Sequence, residues 1–311
     1  MANEILQSEI IVCLYDGSYH LGIAALTNSL VKSGFKGLIH VGYRDHLPPW
    51  TNQLKALDDQ NFYVTSDIVI HFRQVSTDMH LGYYKPYFLT ETFDNYLSAK
   101  KLFYFDADIV VTAPWNLFSR WLETGVCLCL DNNFHFVHQN HPWRKDWKLL
   151  AGADPGFLND THFYFNSGFA GIERGSISLL HRWMALTDRF RRQGGDISAF
   201  VKDAFSSVRG DQDLLNAVIT TSSDIQISVV GKDGMGFTPP ATLMLHAIGE
   251  YGKPWDKQFV ISLIKSGLRP TVAEKGFFLN CKFPIDIFSG GRYMVKNLDL
   301  KIASFLGRFI G

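Results

Sequence analysis

The chain has 311 residues, 46% of them hydrophobic, and its 30 basic and 30 acidic side chains balance to a formal net charge of zero. That length supports one large domain or two small ones with a sizeable core, and the charge balance excludes a general electrostatic affinity for nucleic acid. The four cysteines, Cys13, Cys127, Cys129 and Cys281, form no Cys-x-x-Cys pair, which argues against a zinc site or a redox pair.

In chain order, residues 9–14 read as a strand, 15–20 as a turn holding Asp16 and Tyr19, and 21–32 as an amphipathic helix stopped by Gly34. Residues 38–43 form the second expected strand. Pro48-Pro49 breaks the chain, a short helix is expected through 54–57, and 67–72 form the third strand. A helix over 80–93 carries Tyr83, Tyr84, Lys85 and Tyr87, and Pro86 predicts that it starts late or kinks. Residues 101–111, Lys-Leu-Phe-Tyr-Phe-Asp-Ala-Asp-Ile-Val-Val, follow. The apolar, aromatic run reads as a buried strand, with Asp106 and Asp108 where it leaves the sheet. Carboxylates there need compensation. A divalent cation with oxygen ligands, Mg²⁺ or Mn²⁺, supplies it; the plain alternative is a turn that caps the next helix.

Alternating strands and helices predict a doubly wound, mostly parallel sheet. Ligands of such sheets bind beyond the carboxyl ends of the strands, where Asp16, Asp106 and Asp108 all fall. Neither Gly-x-Gly-x-x-Gly nor a P-loop occurs, which excludes those two routes of nucleotide binding. Residues 126–130 are a further strand delivering Asp131. Residues 132–161 lack a clear period and hold His135, His138, His141, Trp143 and Trp147. The histidines match no standard ligand set and read as solvated or substrate-facing. The two tryptophans either stack on a sugar or pack as helix neighbours. Residues 162–172 form an aromatic strand broken by Asn166-Ser167-Gly168, either a bulge or a close ligand approach. Residues 176–192 form an amphipathic helix. Asp211, Gln212 and Asp213 open the helical run 214–219, as caps or as ligand-facing groups.

The late strand 243–246 ends in His246, followed by Gly249 and Lys253. His246 reads either as a satisfied histidine or as a third metal ligand, and Lys253 suits a diphosphate oxygen. The tail 292–311 is an amphipathic helix with cationic flanks that packs on the domain, binds a partner or lies on an acidic membrane surface. No stretch looks like a signal peptide or a membrane span, so a cytoplasmic setting is expected.

Four segments, taken together, resemble the family 8 retaining glycosyltransferases, the group of bacterial lipopolysaccharide galactosyl- and glucosyltransferases and glycogenin. They are Phe-Tyr-Phe-Asp-Ala-Asp at 103–108, Tyr-Phe-Asn-Ser-Gly at 164–168, Asp-Gln-Asp-Leu-Leu-Asn at 211–216 and His-x-x-Gly-x-x-x-Lys-Pro-Trp at 246–255. The resemblance implies a GT-A fold over residues 1–260, a C-terminal extension over 261–311, a UDP-sugar donor and bound Mn²⁺ or Mg²⁺. By position it implies Asp106, Asp108 and His246 as metal ligands. Asp16, Tyr19, Lys85, Ala107, Asn166, Gly249 and Lys253 join Asp106 in contacting the donor. Asp211, Gln212 and Asp131 become the catalytic candidates. The aromatic loop 132–161 and the basic amphipathic tail 292–311 point to a glycan or lipid-linked glycan acceptor at the inner membrane face, with the tail as a peripheral contact. Two departures stand out: the His246–Lys253 interval is one residue longer than the family's, and Lys85 stands where arginine is frequent. Competing readings are a haloacid-dehalogenase-type phosphatase with Asp106 as nucleophile, and a non-catalytic sugar-binding protein on the same fold.

Overall fold

The structure, a computed structural model, describes residues 8–152, 161–201, 203, 205–249 and 252–309. Its centre is β1 (Glu9–Tyr15), an apolar run buried on both faces, as expected of a parallel strand covered by helices on each side. It pairs in parallel with β2 (Gly37–Tyr43) and with β6 (Lys101–Phe105), and β2 pairs in parallel with β5 (Ile68–Gln74). Beyond β6 the long β9 (Phe165–Glu173) runs antiparallel between β6 and β8 (Val126–Leu130), and β10 (Ile227–Val230) closes that edge parallel to β8. The other edge is the antiparallel pair β4 (Asn61–Thr65) and β3 (Lys55–Ala56). The nine strands lie in the order β10-β8-β9-β6-β1-β2-β5-β4-β3. The carboxyl ends of β1, β6 and β8 therefore share one side with the start of β9, and all four meet one cleft.

The alternation of β1 divides the interior. Ile11, Cys13 and Tyr15 pack with helix α1 (His20–Ser33), whose end is turned by Gly34 at φ 82°. Ile10, Val12 and Leu14 pack on the other face with α2 (Leu81–Asn95). Helix α3 (Trp115–Leu122) follows a two-stranded antiparallel unit, β7 (Ile109–Val111) with β11 (Met244–His246), which sets His246 opposite Ile109. Helices α4 (Pro142–Ala151), α5 (Ser178–Arg192) and α6 (Asp211–Thr220) lie on the Val12 face. Three C-terminal helices, α7 (Phe259–Ser266), α8 (Val272–Leu279) and α9 (Gly290–Leu306), join the Cys13 face. The buried Asn28 of α1 ties them on: its amide donates to the carbonyls of Asn280 and Ile285, each at 2.8 Å, and its oxygen accepts from the Ile285 N–H at 3.0 Å.

Three local expectations are corrected. Residues 54–57 are not helical: a 3₁₀ turn, Pro49–Gln53, precedes β3. The Asp58 side chain accepts from the Gln60 and Asn61 backbones and turns the chain into β4 instead. Pro86 does not delay α2, which begins five residues earlier. Only one backbone bond is lost to the proline, and burial of Pro86, Phe88, Leu89 and Phe93 offsets it. The segment 132–161 is not wholly irregular either. It contains α4, opened by His141 as cap with Pro142 at its first position and closed by Gly152 at φ 61°; residues 153–160 lie outside the described residues.

One core residue carries a pH consequence. His40 on β2 is 1% exposed, neither ring nitrogen has a hydrogen-bond partner, and it meets His71, Phe88 and Tyr96 edge-on. Burial first, then His71 and Arg73, push its pKa down to about 3. The unfolded chain takes up this proton near pH ~6.5. The neutral imidazole's contribution is therefore complete above that pH and is lost as pH falls towards 3, by up to ~1.4 kcal/mol per pH unit. Urea melts of His40→Phe should show a flatter dependence between pH 6 and 4 than wild type; parallel curves would refute the assignment.

Candidate active site

The cleft beyond the strand ends has a volume of about 960 Å³. Asp16, Tyr19, Lys85, Asp106, Ala107, Asp108, Asn166, Asp211, Gln212, His246, Gly249 and Lys253 all line it. Asp131 does not. It sits behind the wall, where one carboxylate oxygen accepts from the Asn133 and Phe134 backbones and the other from the Asn166 amide at 2.9 Å. It fixes the loop after β8 and orients Asn166.

The turn 106–108 bridges β6 and β7. Asp106 N–H donates to the Gly168 carbonyl at 2.7 Å, which holds this turn against the irregular part of β9. The expected interruption at Asn166-Ser167-Gly168 is thus both a break in register and a lining of the cleft. Across it, pairing of β7 with β11 brings in His246, whose Nε2 lies 3.1 Å from Asp108 Oδ1 and 4.0 Å from Asp106 Oδ2. One ligand atom from each of Asp106, Asp108 and His246 falls within 4.8 Å of the others. Two carboxylates and one imidazole suit Mn²⁺ well and Mg²⁺ less well. Gly168 makes the room, since a Cβ there would stand 2.5 Å from His246 Cε1 and 2.9 Å from Asp106 Oδ2. These residues fit a divalent cation. Among the described residues they are the one such group, and the histidines of 135–141 do not join it.

Two lysines balance the carboxylates. Lys253 Nζ is 2.5 Å from Asp108 Oδ2 and also donates to the Ala247 carbonyl at 3.2 Å. Burial works to raise the pKa of Asp108, but His246 and Lys253 outweigh it and hold the carboxyl well below its usual range. Lys85, 4% exposed, stands 3.0 Å from Asp106 Oδ1 and 2.9 Å from Asp211 Oδ2, and donates to the Ser167 carbonyl at 3.1 Å. Burial would lower its pKa; Asp106 and Asp211 reverse that and raise it. Gln212 accepts from the Ser167 N–H at 3.2 Å. Asp213 is a structural group: it accepts from the Tyr164 hydroxyl at 2.6 Å and from the Arg209 N–H at 2.7 Å, and burial raises its pKa. Neither tryptophan of α4 lines the cleft. Trp147 is fully buried and donates to the Ser207 carbonyl, and Trp143 packs edge-on against Phe134.

Sequence reasoning missed several supporting groups. Tyr104 donates to Asp106 Oδ1 at 2.9 Å; its place two residues ahead on the same strand was the available signal. Gly22 of α1 packs so tightly that a Cβ would stand 1.9 Å from the Ala107 carbonyl oxygen and 2.9 Å from Trp255. Nothing local announces that contact. Gly22→Ala should force the 106–108 turn away from α1 and cost about 1–3 kcal/mol. Thermal melting together with Mn²⁺ titration checks this; a wild-type melt with wild-type metal affinity would contradict it.

No protein-family model and no curated protein matches the sequence. Solved structures do match in fold. The bifunctional glycosyltransferase WbbM aligns at TM-score 0.56 and 15% identity over 95% of this chain and 52% of its own. The galactosyltransferase LgtC, solved with donor and acceptor sugar analogues, aligns at TM-score 0.51 and 15% identity over 92% of this chain and 99% of its own. GlyE of Streptococcus pneumoniae TIGR4 aligns at TM-score 0.51 and 16% identity over 98% of this chain and 64% of its own. The chain thus spans about half of WbbM and nearly all of LgtC. At these identities the likeness is one of fold: the chain has the GT-A architecture of these glycosyltransferases.

Proposed function

We propose that this protein is a metal-dependent, retaining glycosyltransferase of the family 8 type that moves a hexose, galactose or glucose, from a UDP-sugar to a hydroxyl of a glycan or lipid-linked glycan. The observation that carries the reading is the convergence of Asp106, Asp108 and His246 within 4.8 Å in a cleft that also holds Lys253 and Gln212. Asp106, Asp108 and His246 would hold Mn²⁺, or Mg²⁺. When bound, the ion neutralises charge developing on the departing diphosphate. Lys253 adds a second positive charge on the leaving-group side, and Asp16 and Tyr19 receive the uracil. Lys85 holds the Asp106 and Asp211 side chains in place, at 3.0 and 2.9 Å. Gln212 is a poor nucleophile, so front-face attack is favoured: the acceptor oxygen bonds to the anomeric carbon as the bond to UDP breaks, and its proton passes to the leaving phosphate oxygen.

Residues 1–260 form the catalytic domain in this reading, and 261–311 an extension. The reading sets the enzyme in the cytoplasm, with α9 touching the inner face of the membrane. Among the described residues no helix is long and apolar enough to cross a membrane. However, Met294, Val295, Leu298 and Phe305 of α9 are more than half exposed, and Lys296 and Lys301 lie among them. Sedimentation with anionic vesicles, undiminished after deletion of 292–311, would remove that part. The main experiment is UDP release from a panel of UDP-sugars with Mn²⁺ or EDTA. Release from one UDP-sugar, abolished by EDTA, is expected. Release insensitive to EDTA, or no release from any donor, would overturn the reading.

A further inference from the structure

From the surroundings of Arg209 we infer that the acceptor is anionic: it carries a carboxylate or phosphate that Arg209 grips at the β8–β9 end of the cleft. The inference rests on the glycosyltransferase reading and adds the acceptor's chemical class. Arg209 lines the cleft, and its guanidinium carbon lies 5.0 Å from the Phe134 ring and 5.1 Å from the Trp143 ring. A guanidinium held by two aromatic rings has its plane set in advance, so it loses little freedom on meeting a planar or tetrahedral oxyanion.

The hydrogen bonds of other arginines point the same way. Two arginines that serve this fold structurally make three side-chain hydrogen bonds each. Arg144 donates to the carbonyls of Val137 and Phe163 and to the Thr220 hydroxyl, and Arg174 donates to the carbonyls of Ala99, Phe93 and Tyr96. In Arg209, by contrast, no side-chain nitrogen donates a hydrogen bond among the described residues: Nε is buried without a partner, and the side chain keeps 26% of its surface exposed. Among the described residues its nearest carboxylate oxygen is Asp213 Oδ2, at 4.0 Å, and that oxygen already accepts the Arg209 backbone N–H. The other two cationic side chains of the cleft are engaged, Lys85 with Asp106 and Asp211 and Lys253 with Asp108. Arg209 is the cationic side chain with donor capacity left over.

Its position assigns the partner. Most of the expected donor contacts, Asp16, Tyr19, Asp106, Ala107, Gly249 and Lys253, follow β1, β6 and β11, whereas Arg209 stands by the loop after β8, where Asn132 and Asn133 line the cleft. Lys232 Nζ, 2.6 Å from the Asn132 carbonyl, adds a second positive charge beside that loop. Two cations on the flank away from the diphosphate suit an acceptor with its own negative charge. The opposing reading makes Arg209 only a counter-ion for buried Asp213, in which case acceptor charge is irrelevant.

The test uses three acceptor probes that differ only at C6: p-nitrophenyl β-glucoside, p-nitrophenyl β-glucuronide and p-nitrophenyl β-glucoside 6-phosphate. Transfer is measured with the UDP-sugar selected by the release panel. Wild type should favour at least one charged probe over the neutral one by about 10- to 100-fold in kcat/KM, the range of a charge-assisted bidentate pair. The ratio should fall towards one in Arg209→Gln. Arg209→Lys should restore it in part for phosphate and little for carboxylate, because lysine lacks the fork. Which charged probe leads separates the two anion sources. Each ratio is taken within one variant, so partial unfolding does not move it. Equal use of all three probes, or a ratio unchanged in Arg209→Gln, overturns the inference. If no UDP-sugar is turned over, the transferase reading fails by itself. Calorimetric binding of the charged probes then decides: about tenfold weaker binding in Arg209→Gln supports the anion site, and equal or absent binding refutes it.

Discussion

Asp108→Ala should lower metal-stimulated UDP release by about a hundred- to a thousandfold and abolish tight Mn²⁺ binding in the absence of nucleotide. The reason lies in how fully the carboxylate is used. It is 8% exposed, with one oxygen 3.1 Å from His246 Nε2 and the other 2.5 Å from Lys253 Nζ. Those neighbours overcome burial and keep it ionised. Its folded pKa is depressed, so its contribution to stability is present above the ordinary carboxylate range and fades only as pH falls below it. Without the carboxylate, two ligand atoms remain from Asp106 and His246, and Lys253 loses its counter-charge. Removing one partner of a buried pair costs about 3–5 kcal/mol, and because Lys253 keeps 20% of its side chain exposed, the lower end is expected. Electron paramagnetic resonance of Mn²⁺ reads the site without turnover, and circular dichroism reads the fold. A folded Asp108→Ala protein with wild-type metal affinity would remove Asp108 from the ligand set. Asp106→Ala should lose metal affinity with less loss of stability, because the Asp106 side chain is 29% exposed.

The legible parts of this chain were those encoded locally. The run 101–105 reads as a strand because five apolar or aliphatic-stemmed residues leave no other burial pattern, and two carboxylates one residue apart announce themselves. The helix over Ser178–Arg192 and the cap by Gly34 are likewise local. The pairing of Lys85 with Asp211 spans more than a hundred residues, and no spacing rule reaches that far. Tyr164 on Asp213, 49 residues apart, and Gly22 under Ala107 are equally beyond any spacing rule. The missed helix α4 is different. Pro142 and Gly152 marked both of its ends, but ten residues give too few turns for a period to stand out from a run of histidines and tryptophans. Asp131 is a catalytic candidate only through the family resemblance, and no local pattern shows which way its side chain turns at the end of β8. The structure turns its side chain inward, where three donors consume both oxygens.

Lys85→Met is the second large effect, and it should appear first in stability. The ammonium is enclosed, and the Asp211 carboxylate facing it keeps only 5% of its surface. The methionine fills much of the volume but leaves Asp211 charged and uncompensated in a poorly solvated position, at a cost of about 3–5 kcal/mol. For a chain of this length that is a fall in Tm of roughly 5–8 °C. Activity should vanish as well, since Asp106 loses its neighbour on the metal side and Gln212 rides on the same helix start as Asp211. Stability alone separates the causes. Adding Asp211→Asn removes the uncompensated charge, so Lys85→Met/Asp211→Asn should regain about 0.5–3 kcal/mol over Lys85→Met while staying inactive. A double variant no more stable than Lys85→Met would mean that the two residues do not form a coupled pair. Lys85→Arg tests the departure from the family pattern: the guanidinium keeps the charge but must fit a fork where one nitrogen now meets Asp106, Asp211 and the Ser167 carbonyl. It should melt above Lys85→Met and below wild type, because a fork in place of one nitrogen cannot keep all three contacts at once.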